Sequence, residues 1–211
     1  MRTLLSTALL LTLLAPVTAH ADKLVEDGTG IAFDSPQTID GISFKCLGTG
    51  LRKKFVVKVY AVAFCLGADK ADATVAAAAA KAGGKLDGDN KAFFTALRES
   101  DAAKAVDMRF VHDAGKDKIV DAFKDTLDEA LGNDDADGRA KFLALVDRDI
   151  KKGDRMTLTA TPDGKLTLTM AGHAASMVDP KIAKHIWVSW IGPDAVTPGL
   201  RDDIAARASK K

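Results

Sequence analysis

The chain lacks most of the features that usually identify a metalloprotein, a nucleic-acid binder or a membrane-spanning protein. Aromatic residues make up 6% of its 211 residues, with two tryptophans and a single tyrosine, and there are two cysteines. Basic and acidic residues balance, so the formal net charge at pH 7 is +1. A balanced charge excludes a general attraction to nucleic acid or to an anionic membrane. The longest run of basic residues is Arg52-Lys53-Lys54.

Sequence motifs for metal binding, phosphate binding and nucleophilic catalysis are also missing. No His-Glu-x-x-His or Gly-x-Ser-x-Gly pattern occurs. Gly48-Thr49-Gly50 lacks the later Gly-Lys-Ser/Thr of a phosphate loop, so we interpret it as a turn. The acidic run after Asn133 resembles the start of a calcium loop, but Ala144 stands where that loop needs a glutamate. We therefore expect no metal and no cofactor.

The first 21 residues have the pattern of a secretory signal peptide. Arg2 gives a positive start, and the apolar run from Leu4 to Leu14 is too short to cross a bilayer, which takes about 20 residues. Ala19-His20-Ala21 has the small-x-small form of a cleavage site. We expect cleavage after Ala21 and a periplasmic or secreted protein, residues 22–211, without a membrane span.

Residues 22–211 are enough for one domain with a substantial core. Residues 22–41 read as a strand-turn-strand, and the longest strand, 55–66, is apolar on both faces and is therefore expected to be covered on both. The clearest amphipathic helix is 114–131. The other predicted strands are 42–47, 105–112, 155–160 and 165–170, and the other predicted helices are 72–81, 91–99, 137–150, 179–191 and 198–208. This order indicates an α+β domain, an antiparallel sheet with helices on one face.

One arginine and the single tyrosine lie next to this long apolar strand. Arg52 follows the glycine pair, and Tyr60 lies within the strand. A guanidinium and a phenol among apolar neighbours are suited to bind the anionic group of an otherwise apolar molecule. The alternative is that Arg52 is a solvated turn residue and Tyr60 an ordinary strand aromatic.

The two cysteines, Cys46 and Cys65, suggest a disulfide if the protein is exported. If residues 48–52 form the turn of a hairpin, however, the cysteines lie about ten residues apart along it, at about 3.3 Å per residue. That distance far exceeds the Cα spacing of about 4.4–6.8 Å that a disulfide needs. We therefore expect two buried free thiols. A disulfide requires the strand to bend sharply or residues 42–47 to pair elsewhere.

Two segments resemble the chalcone isomerase family. Its signature hairpin is similar to Gly48-x-Gly50-x-Arg52 followed by Lys58-Val59-Tyr60-Ala61 and Leu66, and its closing turn and helix are similar to Ile191-Gly192 and Val196 to Ile204. The resemblance spans roughly 28–208 and is nearest to the bacterial, exported chalcone isomerase-like branch. It implies an open-faced antiparallel β-sheet covered on one face by a layer of α-helices, with a cleft between them.

The resemblance also implies two functional classes. Plant enzymes of this fold cyclise a chalcone to a flavanone, and non-catalytic relatives bind fatty acids through an arginine and a tyrosine. Arg52 matches the arginine of both classes, whereas Tyr60 matches the tyrosine of the binders, where the enzymes have a threonine. Helix 114–131 lacks the tyrosine and asparagine of the enzymes and carries Lys118, Asp121 and Asp125 instead. We therefore expect a non-catalytic binder of a fatty acid or similar apolar carboxylate, with Arg52 and Tyr60 as ligand-binding residues.

Two alternatives stay open. The first is a chalcone isomerase-type intramolecular lyase, in which Arg52 would orient the phenolate and stabilise charge on the enone. The second is an interaction module with no ligand, whose cleft is filled by Trp187, Trp190 or Phe123. Trp187 and Trp190 lie three residues apart on a predicted helix, and we interpret both as core residues.

Overall fold

The structure is a computed structural model that describes residues 22–210. The signal peptide predicted for residues 1–21 lies outside the described residues. The strands are β1 (Asp22–Glu26), β2 (Ile31–Ser35), β3 (Gln37–Ile39), β4 (Ile42–Lys54), β5 (Val57–Gly67), β6 (Lys104–Phe110), β7 (Arg155–Ala160), β8 (Lys165–Met170) and β9 (His173–Val178). The helices are α1 (Ala71–Lys81), α2 (Lys91–Glu99), α3 (Lys116–Leu131), α4 (Ala136–Ala144), α5 (Pro180–His185), α6 (Val188–Ile191) and α7 (Pro198–Ala208).

A seven-stranded antiparallel sheet runs through the centre of the fold. Strands β3 to β9 lie in sequence order, and β1 and β2 form a separate hairpin. The sheet curls, so residues in β3 and just after it reach β7. Asp40 accepts a hydrogen bond of 2.9 Å from Thr159, and Gln37 accepts one of 3.2 Å from Arg155. The predicted α+β class with an antiparallel sheet is confirmed.

The central strand β5 is buried on both faces, as its apolar sequence predicts. Val62, Phe64 and Leu66 belong to the core between the sheet and the helices. Ala61, Ala63 and Cys65 belong to a second core, which the β1–β2 hairpin covers with Leu24 and Phe33. Small side chains on this second face of β5 let the hairpin approach the sheet closely.

The glycine pair of β4 is not a turn, and this prediction was wrong. β4 runs from Ile42 to Lys54, and the chain reverses at Phe55 and Val56. A Cβ on Gly48 would lie 2.8 Å from the backbone nitrogen of Ile204, and one on Gly50 would lie 2.8 Å from that of Leu200. The glycines therefore allow α7 to pack directly on the strand backbone. Both a turn and a close backbone approach favour glycine, so the pattern alone does not separate them.

The new position of the reversal also overturns the expectation of free thiols. Cys46 and Cys65 are directly opposite each other on β4 and β5, with Cα atoms 3.8 Å apart, and they form a disulfide. The bridge lies in the core under the β1–β2 hairpin, where the amide nitrogen of Gln37 lies 3.2 Å from Cys46 Sγ. The sequence estimate of their separation was wrong because it placed the turn too early.

Some other boundaries differ from the sequence prediction. Residues 22–41 form three strands where two were predicted. Strand β9 was not predicted; it is largely exposed, and its apolar alternation is weak. The helix predicted for 137–150 ends at Ala144 and is capped by Asp135, whose carboxylate accepts from the Gly138 backbone N–H. The helix predicted for 179–191 is divided into α5 and α6.

The disulfide leads to a test of stability. Protein purified without reductant and then denatured should show no free thiol with DTNB, and reduction should expose two. Because the bridge joins residues 19 positions apart, reduction should lower the free energy of unfolding by about 3 kcal/mol in urea denaturation. The Cys46→Ser/Cys65→Ser variant is the control, since reductant should leave its midpoint unchanged. Two thiols in the unreduced protein would contradict the disulfide.

Candidate ligand-binding site

A pocket of about 160 Å³ lies between the sheet and the helix layer. It brings together the two residues that the sequence predicts for ligand binding, Arg52 from β4 and Tyr60 from β5. The rest of the lining is mainly apolar and comes from β4 to β7, α3 and the segment before it, α6, and the segment before α7. These residues are Lys54, Val59, Met108, Phe110, Ala114, Lys118, Ile119, Ala122, Phe123, Met156, Ser189, Trp190 and Val196. A larger groove of about 760 Å³ near Cys46 contains neither Arg52 nor Tyr60.

The pairing of β4 with β5 explains why Arg52 and Tyr60 converge. They are Cα partners across the two strands. Directly opposite side chains lie on the same face of a sheet, with Cβ atoms about 4.5–5.5 Å apart. Arg52 follows Gly48 and Gly50 on that face, because alternate residues of a strand share a face. It is a partly buried strand residue, and not the solvated turn residue of the alternative interpretation.

The two segments that resemble the chalcone isomerase family contact each other at this site. Arg52 Nη1 donates a hydrogen bond of 3.0 Å to the carbonyl oxygen of Val196, just before α7. Asp203, on α7, accepts a hydrogen bond of 2.8 Å from the backbone N–H of Thr49, between the two glycines. The closing segment of the chain therefore holds β4 in place and orients the guanidinium of Arg52.

The pocket lining carries positive charge without a balancing carboxylate. Arg52, Lys54 and Lys118 line it, and no aspartate or glutamate does. Within residues 22–210, Arg52 forms no ion pair, whereas Lys118 lies 3.8 Å from Asp121 on the outer side of α3. Of the three charged residues that the sequence places in this region of α3, only Lys118 reaches the pocket lining. An anion bound here would compensate the partly buried guanidinium.

Tyr60 is a neutral hydrogen-bond donor over the physiological pH range. Burial raises the pKa of Tyr60 to about 12, although the nearby indole of Trp190 and the charge of Arg52 both act to lower this pKa. Its ring packs against Phe110 with a centroid distance of 5.2 Å. A protonated phenol in this position can donate to an anionic ligand without adding a negative charge of its own.

Trp190 is a site residue that the sequence pattern does not reveal. It is 2% exposed and packs against Phe123 and Trp187, as a core residue would. However, it also lines the pocket, and its Nε1 has no hydrogen-bond acceptor among residues 22–210. The indole N–H is near enough to the Tyr60 phenol to affect its pKa, but the two groups do not meet in hydrogen-bond geometry. A buried indole N–H normally has a partner, so this one is available to a ligand.

Trp187, by contrast, has the hydrogen-bond partner that a buried indole N–H usually has. Trp187 Nε1 donates a hydrogen bond of 2.7 Å to the carbonyl oxygen of Ala183, within the same region of the chain. Helical spacing places both tryptophans on one apolar side, so the sequence pattern predicts the same core role for both. Trp190 differs from Trp187 in lining the pocket and in its unpaired N–H, and both properties depend on the folded structure.

The aromatic cluster limits the size of the pocket. Trp187, Trp190 and Phe123 fill part of the space between sheet and helices, as the interaction-module alternative requires, but the pocket beside them stays open. Its volume, about 160 Å³, is below the roughly 300–1,000 Å³ of most drug-sized ligand sites. It is close to the volume of a cavity that holds benzene, about 150 Å³. The pocket thus accommodates an anionic group with a short apolar segment.

Metal binding finds no support in the described part of the chain. Within residues 22–210 there is no group of three or more His, Cys, Asp or Glu side chains that could hold a metal ion. Over the same residues, none of the helices combines the length and apolar character needed to cross a bilayer.

Comparisons with known proteins agree with this architecture. A family model described as chalcone isomerase-like matches residues 26–205. The fold is similar to the crystal structure of a fatty-acid binding protein from Arabidopsis thaliana, with a TM-score of 0.70 and 22% identity, covering 89% of this chain and 98% of that chain. No curated protein matches the chain. The predicted fold, an antiparallel sheet covered by helices, is confirmed.

Titration of the single tyrosine tests the geometry of the site. In the folded protein, the ultraviolet absorbance of the phenolate should report a pKa of about 12 for Tyr60, against about 10 for the unfolded chain. Arg52→Gln should raise this pKa further because a stabilising positive charge is lost. Since the pKa is higher in the folded state, this contribution to stability is complete below about pH 10 and is lost as pH rises through about 12. A transition near pH 10 in protein that is still folded by circular dichroism would contradict the desolvation of this partly buried phenol.

Proposed function

Because the chain belongs to the chalcone isomerase-like family, we propose that it binds a fatty acid or similar apolar carboxylate without converting it. The observation that carries this proposal is the meeting of three hydrogen-bond donors, Arg52, Tyr60 and Trp190, at one mainly apolar pocket. The similarity of the fold to a fatty-acid binding protein supports the same class of ligand.

The donors suit a carboxylate head group. A carboxylate is an acceptor with about four lone-pair sites, so it can accept from a guanidinium, a phenol and an indole together. Hydrogen bonds to a charged group contribute about 1.5–3 kcal/mol each. The carboxylate would supply both the negative charge that the pocket lacks and the acceptor that Trp190 Nε1 lacks.

The apolar lining suits a short acyl tail. Val59, Ile119 and Phe123 give the pocket aliphatic and aromatic walls. Each buried methylene contributes about 0.8 kcal/mol, so a head group and a few methylenes suffice for micromolar affinity, about −8 kcal/mol, after the costs of association. Met108 and Met156 also line the pocket, and methionine side chains adapt to irregular space. Longer tails would require these two side chains to move.

The lining gives less support to the isomerase alternative. The face of α3 toward the pocket presents Lys118, Ile119 and Phe123, and the helix contains no tyrosine or asparagine. The raised pKa of Tyr60 keeps its phenol protonated, which makes it a poor general base near neutral pH. We therefore propose binding and not cyclisation.

We also propose that residues 1–21 direct export and that the protein works in the periplasm or is secreted. The disulfide between Cys46 and Cys65 supports this location. Such bonds persist mainly in oxidising compartments outside the cytosol.

Calorimetric titration with octanoate tests the proposed function. We expect binding to the unaltered protein, and Arg52→Ala should weaken it by about 10- to 150-fold, because a charge-assisted hydrogen bond is lost. Tyr60→Phe and Trp190→Phe should each weaken it by about 10-fold or more, because each removes one hydrogen bond to the charged carboxylate. Arg148→Ala is the matched control, since Arg148 pairs with Asp147 outside the pocket. Octan-1-ol, with the same tail and no charge, should bind more weakly than octanoate.

Two results would contradict the proposal. The first is an octanoate affinity that is the same in Arg52→Ala as in the unaltered protein, or no measurable heat for any acyl chain length. The second concerns the absence of catalysis: cyclisation of naringenin chalcone faster than the spontaneous reaction would show that the protein is an isomerase.

A further inference from the structure

The tip of the β4–β5 hairpin exposes apolar side chains to solvent. Lys54 pairs with Val57, so the reversal consists of only two residues, Phe55 and Val56. Each of these is 92% exposed, and Val57 is 41% exposed. Single exposed apolar residues are ordinary on a protein surface, but adjacent ones at a projecting tip indicate an interaction site.

The backbone at the tip does not favour the residue that occupies it. Phe55 has a φ of 54°, in the left-handed region. In a two-residue hairpin turn this first position favours glycine, and a bulky side chain there is unusual. Since glycine would relax the turn and a polar residue would avoid exposing an aromatic ring, folding does not explain the presence of phenylalanine.

Basic residues surround the apolar tip. Lys53, Lys54 and Lys58 flank it, and none of them forms an ion pair within residues 22–210, although Lys58 Nζ donates to the carbonyl oxygen of Gly28 at 2.6 Å. Lys53 and Lys58 are directly opposite each other on the two strands. Like charges in this position repel each other. The sequence has no aspartate or glutamate between Asp40 and Asp69, although Glu26, Asp27 and Asp203 line a groove together with Lys53.

We propose that residues 53–58, the hairpin tip, dock the protein on an anionic lipid bilayer. Phe55 and Val56 insert at the boundary between head groups and acyl chains, and the lysines contact lipid phosphates. Aromatic and aliphatic side chains next to lysine have the composition of interfacial membrane anchors. An anionic surface also relieves the repulsion between Lys53 and Lys58. The balanced charge of the whole chain makes this attraction local, so docking is reversible.

The tip adjoins the ligand-binding site. Lys54 belongs to the tip and also lines the pocket, and it lies two residues after Arg52 on the same strand. Docking therefore brings the pocket close to the bilayer, where apolar carboxylates partition. The docking itself does not depend on the function proposed for the pocket, and its test uses no fatty acid.

Sedimentation with lipid vesicles tests the docking. The full protein should bind vesicles of phosphatidylcholine and phosphatidylglycerol and should bind pure phosphatidylcholine much more weakly. Phe55→Ser/Val56→Ser should reduce the partition coefficient by about tenfold or more, and each Lys→Gln change at positions 53, 54 and 58 should reduce it by about fivefold. The control is Val178→Ser, which removes another exposed apolar side chain, 69% exposed on β9.

A fluorescence measurement separates insertion from simple adhesion. The Phe55→Trp variant should show additional tryptophan fluorescence that brominated phospholipids in the vesicles quench. In the unaltered protein Trp187 and Trp190 are buried, so their fluorescence should not be quenched. Circular dichroism of each variant shows whether it is folded. The proposal is overturned if the protein does not bind anionic vesicles; the tip would then be a contact for another protein. It is also overturned if the tip variants bind vesicles as well as Val178→Ser does.

Discussion

Direct packing of a helix on the backbone of a strand positions the candidate binding site. α7 contacts β4 at Gly48 and Gly50, where a Cβ would collide with the helix backbone. Arg52 is the next residue on the same face, and its side chain reaches the Val196 carbonyl just before the helix. A larger residue at either glycine would push α7 away and remove the wall from which Arg52 is oriented. The glycines, the arginine and the closing helix therefore act as one unit.

The candidate site is built around donors that the protein itself satisfies only in part. The Arg52 guanidinium has one backbone partner, Tyr60 is held protonated by burial, and the Trp190 indole N–H has none among residues 22–210. Buried or partly buried donors without partners reduce stability, because they lose water and gain nothing in return. Their concentration in one pocket is explained if a ligand carries the matching acceptors. Such a fixed set of donors also limits the reorganisation that binding requires.

Much of the fold follows from local sequence patterns, but parts of the site do not. The burial of β5 on both faces and the amphipathic α3 were predictable from periodicity, and Arg52 and Tyr60 were recognisable as a polar pair beside an apolar strand. The position of the hairpin reversal was not predictable, because neither Phe55 nor Val56 is a typical turn-forming residue. The disulfide was missed for the same reason. Trp190 could not be identified from sequence, because the absence of an acceptor for its N–H is a property of the packed structure.

We propose that Arg52, Tyr60 and Trp190 hold a carboxylate jointly. The proton–nitrogen spectrum of ¹⁵N-labelled protein contains two indole signals, because the chain has two tryptophans. Trp187 is already hydrogen-bonded to Ala183 and serves as an internal reference. The account predicts that octanoate shifts the Trp190 indole proton downfield and leaves that of Trp187 in place. Saturable octanoate binding with both indole signals unchanged would contradict it.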